Sequence, residues 1–336
     1  MKNLSFIDKV IFFFNSLAAF FLLASYIIPF VPPKVTATVS VLSLGMPVLI
    51  IVNILFFIFW IVRVKKQFFL SLLILAIGYQ HINAFVQFGN NESINKDDSI
   101  KIMSYNVRLF NAYKWSKKND LDKNIYEFIN VKSPDIISFQ EYYPKKDIQL
   151  RYPYTYIVKT KKSSARQAIY SKHKIVNKGS LDFKKSGNNC IYADIKTKND
   201  TIRIYNLHLQ SFSIDKNKNN FGEKDSEKLF HKFTSRFIKQ QTQVEKIINH
   251  AKNTPYKTIF MGDFNNTAFS WVYNQLSKDK KDAFIEAGSG FGKSFDYIFP
   301  FRIDFILTDT NIKIQEFDTY RVNYSDHYPI MTRITL

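Results

Sequence analysis

Three long apolar runs crowd the first 88 residues, and they constrain the chain's surroundings before anything else does. Val10 to Phe30 carries no charge over 21 residues. At about 1.5 Å per residue a helix of that length reaches roughly 30 Å, the depth of a hydrocarbon core. Pro32 and Pro33 close it. Val41 to Val62 is the second run, with Trp60 near its end as an interface anchor. Phe68 to Phe88 is the third, and Gln80, His81, Asn83 and Gln87 crowd its far half. Those polar groups suit a helix interface or the headgroup level. A helical hairpin buried in a soluble protein is a poor account of the first two runs at this length and charge. Residues 1–88 are therefore expected to form an anchor of three transmembrane helices.

The basic flanks predict its orientation. Lys2 and Lys9 precede the first run, and Arg63, Lys65 and Lys66 separate the second from the third, whereas the short loop at Pro32–Pro33 carries only Lys34. The positive-inside rule then puts the N-terminus in the cytoplasm and everything after the third run outside a cytoplasmic membrane crossed several times. The first run is long for a signal peptide and no small-x-small cleavage site follows it, so it reads as uncleaved. Residues 89–98 are polar and aperiodic, a linker to a second domain over 99–336.

Beyond the linker the pattern changes. Lys101 to Phe110, Asp135 to Phe139, Tyr154 to Val158 and Gln167 to Ser171 read as strands. Ile191–Ile195 and Ile202–Leu209 read as a strand pair around the turn Lys198-Asn199-Asp200. Thr258–Met261, Ile303–Leu307 and Ile330–Ile334 complete the set. Leu121, Ile125, Phe128 and Ile129 mark one amphipathic helix, and Ser226–Lys252 a longer one. Many strands with few helices predict two stacked sheets flanked by helices, an α/β sandwich. This part holds 40 basic and 24 acidic side chains, a net of +16, against +3 for residues 1–98. Such a charge favours polyanions: nucleic acid, anionic lipid or acidic glycans. A lysine- and asparagine-rich composition with solvated lysines explains it equally well. Cys190 is the one cysteine, which excludes an internal disulfide framework and a cysteine metal cage.

Polar groups collect at the ends of the apolar strands. Thr258 to Met261 suits a strand covered on both faces. Gly262 permits a sharp exit from it. Asp263 and Asn265, two residues apart, would point the same way in extended backbone. Five further motifs have the same character: Ser104-Tyr105-Asn106, Phe139-Gln140-Glu141, Asn206-Leu207-His208, Arg302-Ile303-Asp304 and Ser325-Asp326-His327. Each has an ordinary reading as a turn, a solvated acid or a satisfied core histidine. Six together, each beside an apolar run, point to one site. Glu141, alone or with Asn106 and Asp326, offers hard oxygen ligands of the kind Mg²⁺ or Mn²⁺ accepts. Asp263 suits aligning or deprotonating a water, with Asn265 steadying it. Two histidines serve phosphoester cleavage, one neutralising non-bridging oxygens and one protonating the leaving oxygen. Asp304 is suited to fixing the tautomer of an imidazolium.

With those residues in hand, the chain from about residue 99 onward resembles the endonuclease/exonuclease/phosphatase superfamily, which includes exonuclease III, deoxyribonuclease I, neutral sphingomyelinases and inositol-polyphosphate phosphatases. All six motifs stand in the family's order. The resemblance implies a four-layer α/β/β/α sandwich, two packed mixed sheets flanked by helices, with the site at one end of both. It implies that Asn106 and Glu141 bind metal and phosphate, that Asp263 and Asn265 position the nucleophilic water, and that Asp304 and Asp326 support the site. His327, paired to Asp304, would contact the scissile phosphate. His208 stands where deoxyribonuclease and sphingomyelinase relatives have a general acid; exonuclease III-like enzymes have tyrosine there. The stretch Asp282 to Gly292 is similar to a membrane-anchored bacterial subgroup, and its glycines suggest a loop packed near the site. Two positions depart from the family pattern. Gln167 precedes Ala168-Ile169 where glycine is common, and Ala268 stands where a proline often follows Gly-Asp-Phe-Asn.

The expected activity is a membrane-anchored, divalent-metal-dependent phosphodiesterase or nuclease acting on nucleic acid by in-line water attack, with Arg108 among the strand contacts. The alternatives are a lipid phosphoesterase acting on sphingomyelin or phosphoinositide, and a non-catalytic binder of anionic ligands. For the lipid reading, Tyr142, Tyr143, Phe212 and Phe221 are the aromatics expected at the headgroups.

Overall fold

Each of two six-stranded sheets is built around one parallel strand pair joined through a helix. The structure, a computed structural model, describes residues 4–89, 98–144, 150–159, 164–198, 200–212 and 223–336. Residues 90–97 of the expected linker, together with Lys2, Asn199 and Phe221, lie outside the described residues.

The N-terminal part comprises α1 (Phe6–Ser25), α2 (Ala37–Leu42), α3 (Met46–Val62), α4 (Phe68–Ile77) and α5 (Tyr79–Phe85), followed by the short strand β1 (Gln87–Phe88). Phe6–Phe30 and Ala37–Val62 are long and apolar enough to cross a membrane. The third run is not one continuous helix, because α4 and α5 meet at a bend of 79°. Gly78 sits at the break, where a Cβ would lie 2.0 Å from the Tyr26 hydroxyl. That hydroxyl donates to the Ile74 carbonyl at 2.9 Å, and the Tyr26 ring stacks on His81. Glycine's poor helix propensity and the inserted tyrosine together explain the kink.

The remainder runs β2 (Ile100–Asn106), α6 (Leu121–Lys132), β3 (Ile136–Tyr142), β4 (Tyr154–Lys159), β5 (Arg166–Ser171), β6 (Lys174–Ser180), β7 (Asn189–Lys196) and β8 (Thr201–His208). Then come α7 (Glu223–Ala251), β9 (Lys257–Asp263), α8 (Trp271–Leu276), β10 (Lys280–Asp282), α9 (Ala283–Ala287), β11 (Ser289–Gly290), β12 (Asp304–Asp309), β13 (Lys313–Thr319) and β14 (Ile330–Thr335). One sheet has the order β13-β14-β2-β3-β5-β4 and the other β10-β12-β9-β8-β7-β6. In each the central pair is parallel, β2 with β3 and β8 with β9, and the other pairings are antiparallel. Helices α6 and α7 make the two crossovers that parallel pairs require.

Strand alternation sorts the apolar side chains into layers. Ile102, Ile136 and Ile169 from one sheet meet Ile191, Ile204, Ile259 and Met261 from the other, forming the core between the sheets. Met103, Tyr105, Ile137 and Phe139 face outward and pack on Ile125 and Ile129 of α6. Tyr205, Leu207 and Phe260 do the same beneath Val244 and Ile247 of α7. This is the expected α/β/β/α sandwich of two mixed sheets.

The first strand stops at Asn106, short of the expected Phe110. Arg108, Leu109, Phe110 and Asn111 all have positive φ, between 40° and 60°. One left-handed turn of ordinary residues costs about 1 kcal/mol or more at each position. Phe110 offsets part of that cost by burying its ring, stacked on Tyr126 at 5.1 Å.

Candidate active site

The parallel pairs bring four polar strand ends to the same end of the sandwich. Asn106 and His208 are the last residues of β2 and β8, Asp263 the last of β9, and Glu141 the next to last of β3. Antiparallel neighbours start there: Asp304 opens β12 opposite Asp263, and Asp326-His327 lead into β14. The position beyond the carboxyl ends of parallel strands is where open α/β sheets hold ligands.

Asp263 is the hub. Its carboxylate accepts from Asn106 Nδ2 at 3.0 Å, from the Asn265 backbone N–H at 2.7 Å and from Asn265 Nδ2 at 3.1 Å. The chain past Asp263 is not extended as expected, since Asn265 has φ 49°. Asn265 reaches Asp263 by curling back onto it, and its amide also donates to the Leu209 carbonyl at 3.0 Å. Gly262 also differs from expectation. It lies within β9 at φ 140°, and a Cβ there would stand 2.0 Å from the Leu207 carbonyl oxygen. Glycine is required by the close approach of β8, not by an exit from the strand.

Both histidines face this hub. His208 Nε2 and His327 Nε2 each lie 3.7 Å from Asp263 Oδ2, and His208 Nε2 is 3.9 Å from Glu141 Oε1. These separations exceed direct hydrogen bonds and suit an intervening water or phosphoryl oxygen. His327 Nδ1 is 2.9 Å from Asp304 Oδ2. Ser294 Oγ in turn accepts the Ile303 and Asp304 backbone N–H groups, each at 3.0 Å, and so fixes the start of β12.

The two imidazoles are electrically unlike. Burial works against a charge on His327, but Asp304 and Asp263 outweigh it and hold its pKa well above the ordinary value. His208 is pushed down to about 3, by burial and then by the charge on His327. The Asp263 carboxyl is raised, chiefly by burial and by nearby Asp304, against the pull of His327. In the free site His327 is thus a cation and His208 a neutral base.

Residues 103–327, more than half of the chain, match the family model described as the endonuclease/exonuclease/phosphatase family. The chain belongs to that family. Residues 8–85 match a separate model, a domain of unknown function. No curated protein matches. An endonuclease/exonuclease/phosphatase family protein from Bacteroides thetaiotaomicron aligns with a TM-score of 0.52 at 20% identity, over 70% of this chain and 94% of its own. A mannosyl-6-phosphatase from the same organism aligns at 0.52 and 19% identity, over 70% of this chain and 100% of its own. Humanized D. rerio TDP2 aligns at 0.54 and 15% identity, over 71% and 100% respectively. At these identities the likeness shows the shared fold.

The donor set fits the divalent metal typical of the family. Glu141, in the left-handed region at φ 49°, has its side chain 32% exposed at the cleft. Burial and then Asp326 push its carboxyl up, opposed by His327, Arg108 and a hydrogen bond from Asn106. A carboxylate held beside a second carboxylate and an amide makes the oxygen-rich, negatively charged site that a hard cation relieves. Among the described residues, Asp263, Asp304 and His327 also bring ligand atoms within 4.8 Å of one another. There, His327 Nδ1 is already engaged by Asp304.

Other partners had little sequence signal. Arg108, expected against a nucleic-acid strand, pairs with Asp326 at 3.0 Å and lies under the Trp115 ring at 4.4 Å. Gln140 Nε2 donates to Asn206 Oδ1 at 2.8 Å, and Gln167 Nε2 to the Asn206 carbonyl at 3.1 Å, so both glutamines tie one sheet to the other behind the site. This is the use of Gln167 where the family pattern has glycine. Ala268 is buried beside Phe269, which packs among the N-terminal helices. The glycine stretch before Gly292 likewise meets the N-terminal part, with β11 pairing β1 and Phe291 packing on Phe85.

Proposed function

We propose that this chain is a membrane-tethered, divalent-metal-assisted hydrolase of phosphoesters, phosphodiesters foremost. The observation that carries the proposal is the approach of two imidazole Nε2 atoms, one cationic and one neutral, to the same buried carboxylate oxygen of Asp263. Asp263, oriented by three donors from Asn106 and Asn265, holds a water in line with phosphorus and draws its proton. His327, kept charged by Asp304, donates Nε2–H to a non-bridging oxygen as charge grows there. His208, neutral in the free site, takes up a proton once the phosphate's charge is beside it and delivers that proton to the leaving oxygen. Asn106, Glu141 and Asp326 would hold Mg²⁺ or Mn²⁺, which supplies charge neutralisation on the phosphate oxygens.

Localisation is part of the reading. The Lys34 backbone donates to Gln241 of α7 at 2.7 Å and its side chain pairs with Glu245. Arg63, by contrast, pairs with Asp8 at the other end of the helices. The catalytic part thus sits at the end away from Arg63, Lys65 and Lys66, which supports a cytoplasmic N-terminus and an external catalytic part. Its net charge of +16 supports an anionic partner, nucleic acid included. The test is hydrolysis of bis(p-nitrophenyl) phosphate by the detergent-solubilised full chain with Mg²⁺. Turnover that falls at least about 10²-fold in both Asp263→Asn and His327→Ala is expected. Equal turnover in either variant sinks the assignment.

A further inference from the structure

The segment between Phe291 and Arg302 joins the catalytic site to the anchor and leaves large apolar side chains uncovered. Phe295 bridges to His327 through the backbone, and its ring lies 5.1 Å from the imidazole. Four residues on, Phe299 packs with the anchor helices and stacks on Phe85 at 6.5 Å. Between them Ile298 is 99% exposed. Phe291, 41% exposed, also leans on Phe85, and Phe88, 96% exposed, stands in β1 against Ser289. A single exposed isoleucine is unremarkable. Three large apolar side chains along the seam of an apolar anchor mark a surface that something covers.

The anchor says what covers it. Tyr26, just past α1, bonds Ile74 and stacks on His81, so the bend at Gly78 is level with the end of α1 nearest the catalytic part. With α1 and α3 crossing a bilayer, a 79° bend turns α5 along its surface. Phe88 and the loops packed on Phe85 then stand at that same depth. The site is close by, since Phe269, four residues past Asn265, is itself part of the anchor cluster.

We propose that Phe88, Phe291 and Ile298 enter the bilayer interface beside the anchor, and that the site takes the phosphoester headgroup of a membrane amphiphile from that leaflet. This rests on the hydrolysis proposed above and narrows its substrate. The basic catalytic part suits anionic headgroups such as phosphatidylglycerol. Of the aromatics expected at the headgroups, Tyr142 and Phe212 are buried, the first against Phe110 and the second against Phe237, whereas Tyr143 is 37% exposed.

Two measurements on the full chain in vesicles of phosphatidylcholine, phosphatidylethanolamine and phosphatidylglycerol test this. Cys190 is fully buried, so a nitroxide attached to Ile298→Cys reports one site. The label is expected to relax more with dissolved oxygen than with a water-soluble nickel chelate; the reverse order overturns the membrane contact. The second measurement compares Mg²⁺-dependent headgroup release from the vesicles with hydrolysis of bis(p-nitrophenyl) phosphate and of plasmid DNA. Vesicle lipid is expected to be cleaved, and Ile298→Asn to lower the ratio of vesicle to soluble rates at least tenfold. Cleavage of the soluble ester or of DNA without lipid overturns the substrate class and leaves phosphoester hydrolysis standing. No cleavage of any substrate overturns both.

Discussion

His327 Nδ1 lies 2.9 Å from Asp304 Oδ2, and both side chains are buried at the end of the sandwich. Burial alone would strip the imidazole of its proton; Asp304, with Asp263, keeps it there. Replacing Asp304 by Asn keeps the shape and removes the charge. His327 then loses its proton at a lower pH, so the alkaline limb of kcat/KM moves down toward 6.5. Activity at pH 8 is expected to fall at least about 10²-fold, and less at pH 6. A pH–rate profile of Asp304→Asn with an unmoved alkaline limb would show that Asp304 does not hold the proton.

His208 predicts an acid-side cost in stability. Its folded pKa, about 3, lies below the unfolded value near 6.5, so between these the unfolded chain binds the extra proton. Its contribution is therefore intact above about pH 6.5 and is lost as pH falls through that window. His208→Gln lacks the proton site. In EDTA, its stability relative to the parent is expected to rise by about 1.4 kcal/mol per pH unit between about pH 6 and 4. Parallel melting curves for the two proteins across that range would contradict a buried neutral His208.

The proposed metal requirement rests on Glu141. EDTA is expected to abolish turnover, and Mg²⁺ or Mn²⁺ to restore it. Glu141→Gln keeps the size and one oxygen but removes the charge that burial and Asp326 oppose. The half-saturating Mg²⁺ concentration is expected to rise about tenfold or more, with the fold unchanged by circular dichroism. An unchanged metal dependence in Glu141→Gln would move the cation elsewhere, the Asp263–Asp304–His327 group being the next candidate.

Strand-end chemistry was legible because it is local. Apolar runs ending in Asn106, Glu141, His208 and Asp263 mark residues that adjacent parallel strands must bring to one edge, whatever the loops do. What could not be read depends on contacts between distant segments. Arg108 meets Asp326 only because a left-handed turn, held by Phe110 in its pocket, redirects the chain after Asn106. The break of the third apolar run at Gly78 depends on a tyrosine 52 positions earlier. Arg302 also joins the N-terminal part to the site from afar: Nη1 pairs with Asp282 at 2.6 Å, and Nη2 donates to the Ala84 carbonyl at 3.0 Å. No spacing in the sequence announces a partner 218 residues away.

Gly262 offers a prediction about packing, since a glycine has no side chain to take part in the chemistry. Its φ of 140° lies where side chains are strained, and the Leu207 carbonyl oxygen occupies the place of a Cβ at 2.0 Å. Gly262→Ala must therefore push β8 and β9 apart at their last hydrogen-bonded residues, where His208 stands opposite Asp263. Strain and overpacking of this kind cost about 3 kcal/mol together, enough to lower the melting temperature by several degrees. Separating the strands also moves His208 away from the Asp263 carboxylate, so kcat is expected to fall even in the fraction that folds. The check is turnover per folded molecule alongside a thermal melt. A variant with parental stability and parental kcat would mean that the close approach of the two strands at Gly262 sets neither the fold nor the site.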